Sequence, residues 1–135
     1  MIRRLDDKTL VSGQIRPEEV AGLAAHGVTM LVNNRPDGEE PDQPAASAIE
    51  DAAEAAGISY RHVPILRGIG PADVDAMQEA LRAAGDGQML AFCRSGTRSA
   101  LTWALAARNE GNSPETIEAA VTEAGFNVAP ITHLL

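Results

Sequence analysis

Four apolar residues, Met89-Leu90-Ala91-Phe92, run without interruption into Cys93, and the chain then turns basic and polar through Arg94-Ser95-Gly96-Thr97-Arg98. A short continuous apolar run suits a strand buried on both faces. Such strands belong to parallel sheets, whose neighbouring strands need crossover connections, usually helices. The rest of the chain supplies both. Leu10-Val11-Ser12 reads as a short strand stopped by Gly13, residues 28–32 as a buried strand, and residues 58–66 as another. Pro64 assigns that last one to a sheet edge or a strand terminus. One helix opens at Pro17, where a missing N–H is harmless, and carries Val20, Leu23 and Ala24 to a stop at Gly27. Others are expected over about residues 45–56, closed by Gly57, over about 72–84, with Val74, Met77, Ala80 and Leu81 on one face, and over 99–107. A last helix runs from the Ser113-Pro114-Glu115 start to about Ala124, stopping at Gly125, and residues 126–135 should pack on the body. Strands alternating with helices give an α/β fold with a mostly parallel central sheet.

Composition narrows the setting. The chain has 135 residues and 44% apolar content, enough for one domain over residues 1–135 with one core. Only 3% of residues are aromatic, which suits helices packed closely on a sheet more than a β-sandwich. A formal net charge of −8 repels nucleic acid and anionic membranes, so neither is expected as a partner. The start, MIRRLDDKTL, is charged and does not resemble a signal peptide, and no stretch approaches the roughly 18 apolar residues of a membrane span. With one cysteine there is no internal disulfide, and no Cys/His cluster offers zinc spacing. A reduced, soluble, cytoplasmic protein without metal or cofactor is expected.

The lone cysteine stands at the carboxyl end of a strand and just before a helix, the edge of an open α/β sheet where ligands bind. The backbone N–H groups of Arg94, Ser95, Gly96 and Thr97 can converge on an anion, and the following helix adds its positive end. Gly96 permits a backbone conformation other residues resist. Arg98 offers a bidentate fork for an anion and Arg94 a second charge. All of this favours thiolate over thiol at Cys93 and makes it a nucleophile; a buried, inert cysteine needs no cationic loop. Ser99 is placed to donate a hydrogen bond to the sulfur.

Cys93-Arg94-Ser95-Gly96-Thr97-Arg98 resembles the C-R-x-G-x-R active-site loop of rhodanese-type sulfurtransferases. The chain as a whole resembles the phosphatase-like domain found fused to β-lactamase-like persulfide dioxygenases, the β-lactamase hydrolase-like family. The landmarks, in order, are Ser12-Gly13-Gln14-Ile15, Asn34-Arg35-Pro36-Asp37-Gly38-Glu39, Tyr60-Arg61-His62-Val63-Pro64, Ala72-Asp73-Val74 and the loop itself. The resemblance implies a three-layer, dual-specificity-phosphatase-like fold with four to five strands flanked by helices. It also implies a stand-alone version without the metallo-β-lactamase-like domain, and a separate persulfide dioxygenase as a partner.

Two chemistries share a thiolate and an anion cradle. Tyrosine and dual-specificity phosphatases are similar in H-C-x5-R, whereas here four residues separate Cys93 from Arg98 and Phe92 stands where that histidine would be. A phosphatase also needs an acid for the leaving oxygen. Related phosphatases carry an aspartate after the preceding strand, where this chain has Arg67-Gly68. Asp73 is one candidate, though it suits a helix start. Asp37 is the other, though it suits a turn. Transfer of a sulfane sulfur needs no proton donor, because sulfite or a thiolate leaves readily. The favoured reading is therefore a sulfurtransferase that forms a Cys93 persulfide from thiosulfate or a low-molecular-weight persulfide. A phosphatase acting through a phosphocysteine comes second, and a non-catalytic anion- or phosphopeptide-binding module third. Arg35 either lines the pocket mouth or pairs with Asp37 or Glu39. Arg67 faces the site in the family-like arrangement and would favour an anionic substrate. His26, His62 and His133 read as structural or exposed, and Trp103 as packing.

Overall fold

The computed structural model describes all 135 residues. Five strands form one sheet: β1 (Ile2–Arg4), β2 (Thr9–Ser12), β3 (Val28–Asn33), β4 (Ser59–His62) and β5 (Gln88–Phe92), in the order β1-β2-β5-β3-β4. Every pairing is parallel except that of β1 with β2. Between them lie α1 (Val20–Ala25), α2 (Ala46–Ala55), α3 (Pro71–Ala83), α4 (Thr97–Asn109) and α5 (Pro114–Glu123). Pro17–Glu19 forms a 3-10 turn ahead of α1, and Ala129–Leu134 a second one at the chain end.

Strand residues alternate between two cores, as the pleat requires. Met30 and Val32 of β3, with Met89 and Ala91 of β5, pack among α3, α4 and α5. Leu31, Leu90 and Phe92 pack with Val20, Leu23, Ile49 and Ala53 of α1 and α2. The result is three layers. Trp103 is buried in the first core with Leu101 and Leu105, which is the packing role its spacing suggested. The tail also docks, through buried Ile131 and partly buried Phe126.

The boundaries differ from expectation in four places. The strand expected over 58–66 is ordered as β4 only from Ser59 to His62. Ile58 donates to Ala53 O and so closes α2 rather than joining the ladder. Beyond His62, Val63 and Ile65 still donate to Asn33 O and Asn34 O, while Pro64 between them has no N–H and faces the open edge. The helix expected over 99–107 starts two residues earlier and reaches Asn109. The helix expected from Pro17 begins as a 3-10 turn. Strand β1 was not expected, because its three residues are all exposed and carry no alternation.

The register places the site. Ser12 and Asn33 both pair with Phe92, so β2, β5 and β3 end level with one another. Cys93 follows the central one of these, at the carboxyl edge of the sheet. Ile117 of α5 is fully buried against this framework. Ile117→Ala should lower the unfolding free energy by about 2–5 kcal/mol, read from urea denaturation.

Candidate active site

Three backbone contacts, from the segments at the ends of β2 and β3, fix the loop after β5. Cys93 N donates to Ser12 O at 3.3 Å, Asn34 N to Phe92 O at 2.8 Å, and Gln14 N to Arg94 O at 3.3 Å. Gly13 must be small, because a Cβ there would stand 2.9 Å from Arg94 O. Gly96 adopts φ +95°, and a Cβ would stand 2.9 Å from the Phe126 ring. That conformation turns the Gly96 N–H back onto Cys93 Sγ at 3.1 Å. Helix α4 starts at the next residue, so its positive end abuts the loop. Cys93 is buried. Burial alone would suit an inert core cysteine, but a core cysteine has neither a turned N–H nor a guanidinium beside it.

Arg98 supplies the guanidinium. Its Nη1 donates to Glu39 Oε2 at 2.8 Å and to Ile65 O at 2.9 Å, and its Nη2 donates to Glu39 Oε1 at 2.9 Å. A guanidinium has five N–H donors. The two left over, on Nε and Nη2, share one edge and form a free bidentate fork. The Arg98 pKa is raised, first by its hydrogen bonds to Glu39. Burial opposes this, and the charge and hydrogen-bonding reach of Cys93 add to it. The two groups are therefore electrostatically coupled.

A second arginine holds Glu39 from behind. Arg35 is 2% exposed, and its Nε donates to Glu39 Oε1 at 2.8 Å, its Nη1 to Gln14 Oε1 at 3.1 Å and its Nη2 to Glu40 Oε1 at 2.6 Å. Arg94, largely exposed, reaches the same Glu40 oxygen at 3.3 Å. These five charged side chains line a hollow of about 340 Å3 over the loop. Glu39 titrates at about 2, held down first by Arg98 and, against some burial, also by Arg35.

The structure places the other residues singled out from the sequence as follows. Ser99 does not serve the sulfur: its single O–H proton goes to Asn34 Oδ1 at 2.7 Å, and the Gly96 N–H is the donor instead. Asp73 accepts the Gly70 N–H at 2.8 Å as a cap of α3, and Asp37 accepts the Ala46 N–H at 2.7 Å at the start of α2. Both carboxylates have the structural role that their sequence positions allowed. Arg67 is exposed on the β4–α3 loop and makes no hydrogen bond or ion pair. Ser95 and Thr97 are exposed and bonded to each other, Oγ to Oγ1, at 3.2 Å. Arg35 pairs with Glu39, one of the two partners foreseen. Glu39 and Glu40 were not foreseen as site residues, although Glu39 closes the landmark that begins at Asn34. No three His, Cys, Asp or Glu side chains are grouped to hold a metal ion, and no helix is long and apolar enough to cross a membrane.

The family described as "Beta-lactamase hydrolase-like protein, phosphatase-like domain" matches residues 1–110. The β-lactamase hydrolase-like protein of Xylella fastidiosa is 36% identical over 126 residues, which are 92% of this chain and 29% of that protein. The chain spans about three-tenths of the length of the curated relatives it matches. Among solved structures, a candidate phosphatase from Neisseria meningitidis overlays with a TM-score of 0.79 at 30% identity, covering 98% of this chain and 94% of that one. PTPMT1 overlays with a TM-score of 0.75 at 18% identity, covering 99% and 94%; at that identity the likeness is one of fold.

Two outcomes follow from the geometry. Gly96→Ala should destabilise the protein by at least about 1–2 kcal/mol, since alanine resists positive φ and the new methyl must displace Phe126; unchanged urea stability would contradict the turn. Glu39 is depressed from 4.5 to about 2, so its pairing stabilises the fold fully above about 4.5 and loses that effect as pH falls through about 2. The stability gap between wild type and Glu39→Gln should therefore be largest near neutrality and shrink towards pH 2 in urea titrations.

Proposed function

The chain belongs to the phosphatase-like domain family of β-lactamase hydrolase-like proteins, and from that premise we propose that it is a cysteine-dependent sulfurtransferase acting on an oxyanion-bearing sulfane-sulfur donor such as thiosulfate. One observation carries the choice: all four carboxylates around the site are engaged as acceptors. Asp37 and Asp73 hold backbone N–H groups. Glu39 and Glu40 are clamped by arginines. Hydrolysis of a phosphate ester asks one of them to give a proton to the leaving oxygen, and lacking such an acid costs about 10²–10⁴ in rate. Sulfur transfer asks for none.

In the proposed reaction the sulfonate oxygens of the donor rest on the free Nε–Nη2 edge of Arg98. The Cys93 thiolate, steadied by the Gly96 N–H, attacks the terminal sulfur. The new S–S bond forms as the old one breaks, and its electron pair leaves with sulfite. The Cys93 persulfide then yields its outer sulfur to a thiol or cyanide, and the thiolate returns. With a thiol as acceptor, the product is a persulfide of the kind a separate persulfide dioxygenase would oxidise.

Phosphate-ester hydrolysis through a phosphocysteine is the second reading, and the comparisons favour it over the first. The family is named for a phosphatase-like domain, the Neisseria meningitidis relative is named a candidate phosphatase, and the wider neighbours share a phosphatase fold.

Purified protein separates the two. Thiocyanate formation from thiosulfate and cyanide should be catalysed, with one sulfur atom gained at Cys93 by mass spectrometry. Phosphate release from an aryl phosphate should be at least a hundredfold less efficient. Cys93→Ser should abolish turnover. Efficient phosphate release without sulfur transfer would reverse the order of the readings.

A further inference from the structure

Most large apolar side chains of this protein are inside. Four are exposed: Met1 and Ile2 at the chain start, and Leu66 and Leu134. The last two are 75% and 55% exposed, yet both line one cleft of about 300 Å3, with Ile65, Leu101, Leu105 and Ile131. Three segments distant in sequence build it: the loop after β4, the early turns of α4 and the terminal 3-10 turn. Its polar wall is Thr97 and Arg98. Arg98 also lines the charged hollow with Arg35, Glu39, Glu40 and Arg94, so one guanidinium divides a polar chamber from an apolar one. The Ile65 carbonyl that fixes Arg98 belongs to a residue of the same cleft. Past Leu134 the cleft adjoins a second hollow that extends to Arg108, about 15 Å along α4 from Arg98 at the helical rise.

We propose that this cleft holds an apolar substituent of the substrate, so that the donor is an organic thiosulfonate-type anion, with an alkyl chain on its sulfonyl group, rather than inorganic thiosulfate. This rests on the sulfur-transfer reading. The volume matches a ligand fragment and is too small for a protein face. An inorganic anion would leave the cleft unused, with two leucines in water. In the step itself the thiolate takes the terminal sulfur of R–SO2–S−; the S–S bond of the donor breaks, the Cys93 persulfide forms, and the electron pair departs on the sulfinate R–SO2−. Charge balances, and no proton or oxidant is required. The oxygens remain on Arg98 and R lies along the apolar wall.

Alkanesulfonates test the cleft without any turnover, because they carry the oxyanion and the chain but no sulfane sulfur. In calorimetric titration, Kd should fall at least about tenfold from methanesulfonate to hexanesulfonate, a modest fraction of what full burial of the added methylenes would give. Leu134→Asp, and separately Leu66→Asp, at exposed positions where folding is not at stake, should reduce that ratio to about twofold or less. A flat series in the wild type, no binding of any member, or a ratio retained in both variants would overturn the inference. Hexanethiosulfonate should likewise exceed methanethiosulfonate in kcat/KM. Graded sulfonate binding with no thiosulfonate turnover would uphold the cleft and reject the sulfur-transfer chemistry.

Discussion

Asn34 is wholly buried, and four of its polar groups bind three different segments. Its N–H donates to Phe92 O of β5, its carbonyl accepts from Ile65 beyond β4, its Nδ2 donates to Val63 O, and its Oδ1 accepts from Ser99 Oγ of α4. Each of these groups would be costly to bury alone. Meeting all of them at once fixes where the β5 strand stops, how the chain after β4 runs past the site and how α4 is rotated. The rotation matters most. Ser99 is held by Asn34, so Arg98, one residue earlier, is turned towards the loop after β4, where Ile65 O meets its Nη1.

A chain of alternating charge extends this order outwards, from Arg94 to Glu40, Arg35, Glu39 and Arg98. Its central member is a buried guanidinium, which is tolerable only because Glu39, Glu40 and Gln14 all accept from it. The exposed outer link through Arg94 is worth little by itself. The inner link is different, since Glu39 uses both oxygens on Arg98 while one of them also serves Arg35. It occupies one edge of the Arg98 plane and leaves the Nε–Nη2 edge open. The segment that carries Glu39 is held in its turn: Gln43 accepts from the Glu39 N–H and donates to Pro36 O, and Asp37 caps α2.

This arrangement explains what could be read from sequence and what could not. The anion loop was legible because its parts are contiguous: strand, cysteine, glycine, arginine and helix follow one another within eleven residues of chain, 88–98, and the local rules for each suffice. The parallel sheet was legible for the same reason, through glycine stops and apolar runs. The exposed strand β1 was not, because it has no apolar face to give it a period. Glu39 was not, because its partner Arg98 lies 59 residues away and a glutamate in a polar turn carries no local mark of that pairing. Ser99 misled because adjacency to Arg98 suggested the sulfur, while the fold brings Asn34, 65 residues distant, to its hydroxyl.

The short span from Cys93 to Arg98 bears on which atom the thiolate can attack. In phosphoryl transfer the attacked atom carries three equatorial oxygens, and all of them must be cradled within one bond of the reacting centre. A loop with four intervening residues has one backbone N–H fewer for that task than a loop with five. In sulfur transfer the attacked atom is bare: the terminal sulfur of the donor has a single neighbour, and the oxygens sit one bond further from the nucleophile. The loop then needs to admit only one atom beside Sγ, and the oxygens fall to a donor set further out. In the proposed sulfur transfer, the Gly96 N–H on the sulfur and the open edge of Arg98 would divide the work in that way.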